Sequence, residues 1–408
     1  MTSIPLTHII LSCRVRLARN FKDRPFVNSQ SDEQANAVLE QVRPLFPVEE
    51  GYTFLPMAEL APLERASLVE NHLCSTDLIA SAHGALILNG AHTLAVMLNE
   101  EDHLRIQGIL PGLDLPGAYA LCRQAEETIA ASLPYAFDAQ YGYLTACPTN
   151  LGTCMRASAM IHLAGLALTG QAEPLLSRIG KLGVAVRGFY GEGSSAPGYI
   201  YQISNQHSLG MQERELMEAL TAVISQLAVQ EARARALLLN KRPLELEDMV
   251  GRALGICRYA RKMDLAEAMQ ELSAIKLGVS LGLLPLPMEE IDGLIVACQG
   301  AQLSSVPLSE DEECAARADL CVVLYNPASR RRANHLKKAC EILMRHASAE
   351  TVCGVARNIG REGAQTQLMT LRELSDFPAD MFTTAFVGNQ HTRMIDGKMV
   401  TPRGYKDV

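Results

Sequence analysis

Apolar residues recur at spacings of three and four over residues 33 to 46 and 116 to 133, the signature of helices that bury one face. Between them the pattern changes. ALILN, HTLAVML and LRIQGIL, within residues 85 to 110, are short runs rich in apolar and β-branched residues and predict strands. Asn89 and Gly90 stand where a hairpin would turn. GYLTA (142 to 146), VAVRGFY (184 to 190) and YIYQIS (199 to 204) are further strand candidates, and 155 to 168 reads as helix. The sum is an α+β pattern, an antiparallel sheet flanked by helices.

From Met211 to Gly300 the signal turns to long helical segments without convincing strands, which predicts a helical domain. After the acidic stretch Ser309 to Glu313 a small α/β pattern begins. LCVVLY and TVCGVARN read as strands, and RRRANHLKKACEILMRHA between them as a helix. These shifts divide the chain at 1–209, 210–318 and 319–408. No internal repeat or low-complexity tract is visible.

Composition narrows the class. With 408 residues, 48% of them apolar, the chain can bury one large core or several ordinary ones. No apolar run approaches the roughly 18 residues of a membrane-spanning helix, and MTSIPLTHIILSC lacks the basic flank and cleavage site of a secretory leader. A soluble cytoplasmic protein is expected. None of the eleven cysteines forms a C-x-x-C pair, so no zinc or redox motif is written and most should be reduced, buried thiols. The net charge of −8 is uneven: residues 1–318 carry −12 and residues 319–408 carry +4. An acidic body argues against capture of nucleic acid by bulk charge while tolerating a basic peptide. Arg330, Arg331 and Arg332 more simply form a solvated face.

Phosphoryl transfer from a nucleoside triphosphate needs positioning and charge neutralisation, so arginine clusters are informative. Arg14 and Arg16 lie two apart in SCRVRLARN; if that segment is extended, both project to one face. Alone, a solvated strand explains them. NEEDHLR gathers Glu100, Glu101, Asp102 and His103 between apolar strands and ends on Arg105. CPTNLGTCMR sets Cys147 at a strand-to-helix transition with Arg156 entering the helix, where Thr149 or Asn150 alone would pass for a cap. RGFYGEGSSAPGY places Arg187 and Glu192 around glycines that let backbone approach a ligand, though a plain hairpin loop reads the same way. Gly191, Gly193 and Ala196 also mimic a dinucleotide fingerprint, but Pro197 and Gly198 disfavour the helix it requires, and no P-loop sequence occurs.

Taken in order, SCRVRLARN, LNEEDHLRI, CPTNLGTCMRAS, VRGFYGEG and YQISNQHSLG resemble the ATP:guanido phosphotransferase, or phosphagen kinase, family over about residues 8–318. The likeness is to its bacterial protein-arginine kinase branch, because the chain starts almost at the first arginine pair and continues into extra helices. The resemblance implies that 1–209 is a guanido-kinase core, that 210–318 is a regulatory or dimerisation domain, and that ATP with Mg2+ phosphorylates exposed arginines of protein substrates. An activator protein and a homodimer are further expectations; membrane and nucleic-acid partners are not.

Carried over residue by residue, the family's phosphate-binding arginines match Arg14, Arg16, Arg105, Arg156 and Arg187. Its guanidinium-binding carboxylates match Glu101 and Glu192, and Cys147 matches the cysteine beside the guanidinium. A guanidinium, with a pKa above about 12, is not nucleophilic while protonated, so a carboxylate must accept a proton as nitrogen attacks. Glu101 is the expected base, Glu192 a second clamp, and Cys147 a thiolate that adds negative charge. No protein metal ligand is expected, the magnesium riding on the phosphates.

One departure stands out. The family's arginine-aspartate-x-x-arginine-alanine motif, implicated in phosphoarginine recognition, corresponds to Glu313, Cys314, Ala315, Ala316, Arg317 and Ala318, so recognition there should be weak or lost. From Asp319 to about Tyr405, VVLYNPASRRR, GVARNIGREGAQ, MFTTAFVGNQHTR and IDGKMVTPRGY resemble the second half of a precorrin-3B methyltransferase, a tetrapyrrole methylase, without the half that carries its S-adenosylmethionine loop. Two other readings accompany the kinase: a methyltransferase fragment of cobalamin biosynthesis, and a non-catalytic binding protein with a kinase-like domain.

Overall fold

The computed structural model describes residues 4–181, 183–189, 196–260, 263–305, 320–325, 327, 335–359, 363–380 and 382–401. Two compact units divide the chain, Met1–Leu303 and Ser304–Val408.

The first unit is built on an eight-stranded sheet. In chain order its elements begin with β1 (Ile10–Arg19), α1 (Asp32–Val42), β2 (Tyr52–Pro56), α2 (Pro62–Glu70), α3 (Thr76–Ala80), β3 (Ala85–Asn89), β4 (Leu94–Leu98), β5 (Leu104–Pro111) and α4 (Leu115–Ala130). The short hairpin β6 (Phe137–Asp138) and β7 (Gly142–Tyr143) follows, then β8 (Met155–His162), α5 (Ala164–Leu168), α6 (Ala172–Gly180), β9 (Val184–Arg187) and β10 (Ile200–Asn205). The strand order is β2-β3-β4-β5-β1-β8-β10-β9, and every neighbouring pair is antiparallel.

Period-two alternation decides what each face carries. On β1, Cys13, Val15 and Leu17 are buried in the main core, which also holds Leu104 and Ile106 of β5 and Met155, Ala157, Ala159 and Ile161 of β8. α4 covers that face with Leu115, Ala118, Cys122, Ala125 and Ile129, spaced three and four apart. It sits so close that a Cβ on Gly108 would lie 2.3 Å from the Ala118 carbonyl oxygen, so only glycine fits there. Asp114 starts this helix by accepting the Gly117 N–H.

Residues 155 to 162, expected as helix, form β8 instead. Their alanines favour a helix locally, but pairing on both edges, with β1 and with β10, and burial under α7 (Glu213–Lys241) override that preference. Arg156 therefore sits on a strand. GYLTA is also less regular than expected, keeping only the two residues of β7. The β3–β4 turn spans Gly90 to Thr93, and the residue with positive φ is His92, at 55°.

The helices α7, α8 (Pro243–Tyr259), α9 (Leu265–Ser280), α10 (Met288–Ala297) and α11 (Gly300–Ser305) follow the sheet. Leu216, Leu220, Ile224 and Leu227 of α7 join the sheet's main core, so this helix completes the core rather than standing apart. A buried polar knot fixes the junction. Glu231 accepts the N–H groups of Gly165 and Leu166, both at 2.8 Å, and pairs with Arg235 at 2.6 Å. Arg235 also reaches His162, the His8 carbonyl and Ser280. No described helix is long and apolar enough to cross a membrane.

The second unit pairs β11 (Val322–Tyr325), β12 (Val352–Arg357), β13 (Gln365–Thr370) and β14 (Thr383–Val387) in the order β11-β14-β12-β13, all antiparallel. Its core sets Cys353, Val355, Met369, Ala385 and Val387 against Leu336, Cys340 and Leu343 of α12 (His335–Leu343) and Leu371 and Leu374 of α13 (Leu371–Ser375). A hairpin, β15 (Arg393–Ile395) and β16 (Lys398–Val400), ends the described chain. Arg330, Arg331 and Arg332 lie outside the described residues.

Candidate active site

The sheet face opposite the main core holds two smaller apolar clusters. One contains Met57, Leu78, Leu86, Leu88, Ala95 and Met97; the other contains Ile200, Met269, Leu272 and Ile275, with Leu11 and Met160 against it. Between them runs a polar strip from the central strands. Arg14 pairs across with Ser158, Arg16 with Arg156 on one side and Gln107 on the other, and Arg105 stands two pairs further along β5, opposite Ala18. Arg187 of β9 faces Gln202 of β10.

All five arginines line one cavity of about 510 Å³, whose wall also includes His72, Phe189 and Val296. A second cavity of about 580 Å³ holds Glu101, Cys147 and His207 together with four of the same arginines, Arg16, Arg105, Arg156 and Arg187. The two spaces therefore share these four arginines. Arg14 and His72 line the first; Glu101 and Cys147 line the second.

The electrostatics are those of a site short of anions. Desolvation and the neighbouring charges of Arg105, Arg156 and Arg187 push Arg14 down to about 10. Arg16 is lowered well below its ordinary value, first by desolvation and then by Arg14, Arg105 and Arg156. Its Nε is buried without a hydrogen-bond partner among the described residues. Desolvation, with Arg14 adding to it, holds His72 at about 4, so this ring is neutral at physiological pH.

Arg105 is positioned by acids. It donates to Glu100 at 2.5 Å and to Glu101 at 3.2 Å. The Glu100 side chain is fully buried; it also accepts from Ser75 Oγ at 2.5 Å and from the Glu101 N–H at 3.0 Å. Glu101 is about two-fifths exposed, and burial raises its proton affinity against the opposing pull of Arg105. The turn is tight: Asn99 takes φ 54° and its amide nitrogen donates to the carbonyls of Ala35 and His83. Cys147 Sγ lies 2.9 Å from Thr149 Oγ1, at the start of a one-turn 3-10 segment, Pro148–Asn150.

Glu192, Gly191 and Gly193 lie outside the described residues, as do Glu313, Cys314, Ala315, Ala316, Arg317 and Ala318. Sequence reasoning missed the anchoring part of Glu100, which two adjacent glutamates ahead of an arginine do not distinguish from Glu101. Gln107 and Ser158, in the arginine strip, were also missed; their only trace is alternation in register with Arg105 and Arg156. Among the described residues no group of three or more His, Cys, Asp or Glu is arranged to hold a metal ion.

Comparison with known proteins adds independent findings. The model for the ATP:guanido phosphotransferase C-terminal catalytic domain matches residues 33–234, and that for the protein-arginine kinase McsB C-terminal domain matches 243–336. A protein-arginine kinase of Caldanaerobacter subterraneus subsp. tengcongensis is 42% identical over 304 residues, covering 73% of this chain and 90% of the relative. One of Moorella thermoacetica is 45% identical over 307 residues, covering 73% and 88%. Among solved structures, a lombricine kinase superposes with a TM-score of 0.51 at 23% identity, over 58% of this chain and 70% of that one, a likeness of fold.

Proposed function

The chain belongs to the ATP:guanido phosphotransferase family, in its protein-arginine kinase branch, and from that premise we propose that it transfers the γ-phosphoryl group of ATP to arginine side chains of proteins. The observation that carries this is the set of four arginines shared by two cavities, one with His72 and Arg14, the other with Glu101 and Cys147. A triphosphate lying along these arginines would bring its terminal phosphorus towards Glu101 and Cys147, with cations where charge develops during transfer.

In this reading Arg14, Arg16, Arg105, Arg156 and Arg187 bind the phosphates. Glu101 orients the incoming guanidinium and takes a proton from the attacking nitrogen. The new N–P bond forms as the bond from phosphorus to the β-bridging oxygen breaks, and ADP leaves. The raised proton affinity of Glu101 suits a base, and Arg105 keeps it oriented until substrate arrives. Cys147 places a sulfur beside the guanidinium, and Glu192 supplies the second carboxylate. Magnesium belongs on the phosphates, where it would neutralise charge.

Three further parts of the proposal rest on sequence. The catalytic core spans residues 1–209 and the regulatory or dimerising helices 210–318, the first of which, α7, packs into that core, with an activator protein and a cytoplasmic setting as in the family reading. Residues 319–405 are half of a tetrapyrrole-methylase-like domain, without methyl-transfer activity of its own.

Incubation with Mg2+, ATP and an arginine-rich protein tests the main reading. Acid-labile phosphoarginine should form with wild type and disappear with Glu101→Ala. No product from wild type, or equal product from both, would contradict it.

A further inference from the structure

Asn20 follows β1 directly and is 1% exposed. Its side-chain oxygen accepts the His103 N–H at 2.9 Å. Its amide nitrogen donates to Asp102 Oδ1 at 2.6 Å and to the Leu144 carbonyl at 3.1 Å. Asp102, also 1% exposed, accepts the Ala146 N–H on that same oxygen at 2.8 Å. Its other oxygen has no partner among the described residues, so Asn20 and Ala146 are what hold this carboxylate.

Chain order gives the arrangement its meaning. Asp102 follows Glu101, and Ala146 precedes Cys147. The acidic turn and the cysteine loop come from stretches more than forty residues apart, and one buried amide is bonded to both. An amide suits the place because it donates and accepts at once. A carboxylate would lose both donations and repel Asp102; an alkyl group would leave the His103 N–H and the Leu144 carbonyl unsatisfied.

We propose that Asn20 is a positioning residue for phosphoryl transfer: it fixes the separation of the Glu101 carboxylate and the Cys147 thiol across the space that receives the guanidinium, without touching substrate. The proposal rests on the reading of Glu101 and Cys147 given above. A displacement of about 1 Å between reacting groups can cost on the order of a hundredfold in rate, which gives such a clamp its leverage. Nucleotide binding should be largely spared, because the Asn20 side chain hydrogen-bonds to none of the five arginines and Arg105 keeps its shorter bond to the buried Glu100.

The test uses the full chain with Asn20→Ala and Asn20→Ser, the latter keeping an oxygen for the His103 N–H. Asn20→Ala should lower kcat for arginine phosphorylation by about ten- to a hundredfold, with Asn20→Ser in between, while ATP affinity stays within about twofold. The Cys147 alkylation rate with iodoacetamide, followed at that peptide by mass spectrometry, should rise severalfold as the loop is released. Wild-type kcat with only a lower Tm would reduce Asn20 to a fold-holding residue and overturn the proposal. Parallel loss of kcat and ATP affinity would overturn it too. If Asn20→Ala does not fold, Asn20→Ser decides alone. Because alkylation is read without turnover, failure of the clamp is distinguishable from failure of the kinase reading, which the Glu101→Ala comparison reports.

Discussion

β1 carries two kinds of arginine, and the junction of sheet and helices repeats one of them. Arg19 is buried against Glu126 at 2.6 Å and lies 3.5 Å over the Tyr143 ring; Arg235, on α7, is buried against Glu231 in the same manner. Each is a cation taken from water with its counter-charge, a structural element whose removal by halves is costly. Arg14 and Arg16, a few residues earlier on β1, form no ion pair with a carboxylate among the described residues and face other arginines, the Glu100 charge only partly offsetting these at Arg16. The first kind is satisfied by the fold. The second finds no such partner among the described residues, and the proposed function assigns it the phosphates of ATP.

The comparison can be broken at either end. The largest effect belongs to the satisfied side: Glu231→Ala strands a buried guanidinium and frees the Gly165 and Leu166 N–H groups. It should cost about 3 to 5 kcal/mol in urea unfolding. On the other side, Arg16→Gln should lower kcat/KM about a hundred- to a thousandfold, roughly 2.7 to 4 kcal/mol of transition-state stabilisation. Its stability without nucleotide should equal or exceed that of wild type, since a desolvated cation among cations is removed. A variant that is both inactive and several kcal/mol less stable would erase the distinction.

Acid sharpens the contrast further. Burial, with Arg24 adding to it, holds His103 at about 4, and its Nδ1 accepts the Phe21 N–H. A folded-state value below the ordinary 6.5 means that the unfolded chain binds the proton more readily. This residue's contribution is therefore fully present above pH 6.5 and is lost as pH falls towards 4. Its share should be about 2 to 3 kcal/mol, visible as a shallower acid dependence of unfolding in His103→Gln. The smallest effect expected is for Asp114→Ala, which removes the cap of α4 behind the arginine strip, at about 1 kcal/mol with little change in kcat.

How much of this was legible differs by residue. The alternation of SCRVRLARN was enough to put Arg14 and Arg16 on one face, because strand period and side-chain type agree there. In MRASAMIH they conflict: alanine and methionine speak for a helix, and only pairing on both edges makes the segment a strand. No local reading could supply that. Arg156 was thus recognised by its motif while its element was misjudged. The anchoring part of Glu100, and Asn20 altogether, were not legible for another reason. Their importance lies in bonds to Arg105 and Ser75, or to Asp102 and Leu144, and such distant partners leave no periodic trace. The helical stretch was legible as helices, but α7's share in the sheet's core was not, since an apolar stripe does not say what it covers.

In the proposed function a polyanion completes the arginine strip. Urea unfolding of wild type and Arg16→Gln, each with and without Mg2+ and ATP, tests it most directly. Nucleotide at a hundred times Kd should stabilise wild type by about 2.7 kcal/mol and the variant far less, while without nucleotide the variant is no less stable than wild type. A variant that unfolds more easily in the absence of ATP, or that gains as much from ATP as wild type does, would contradict it.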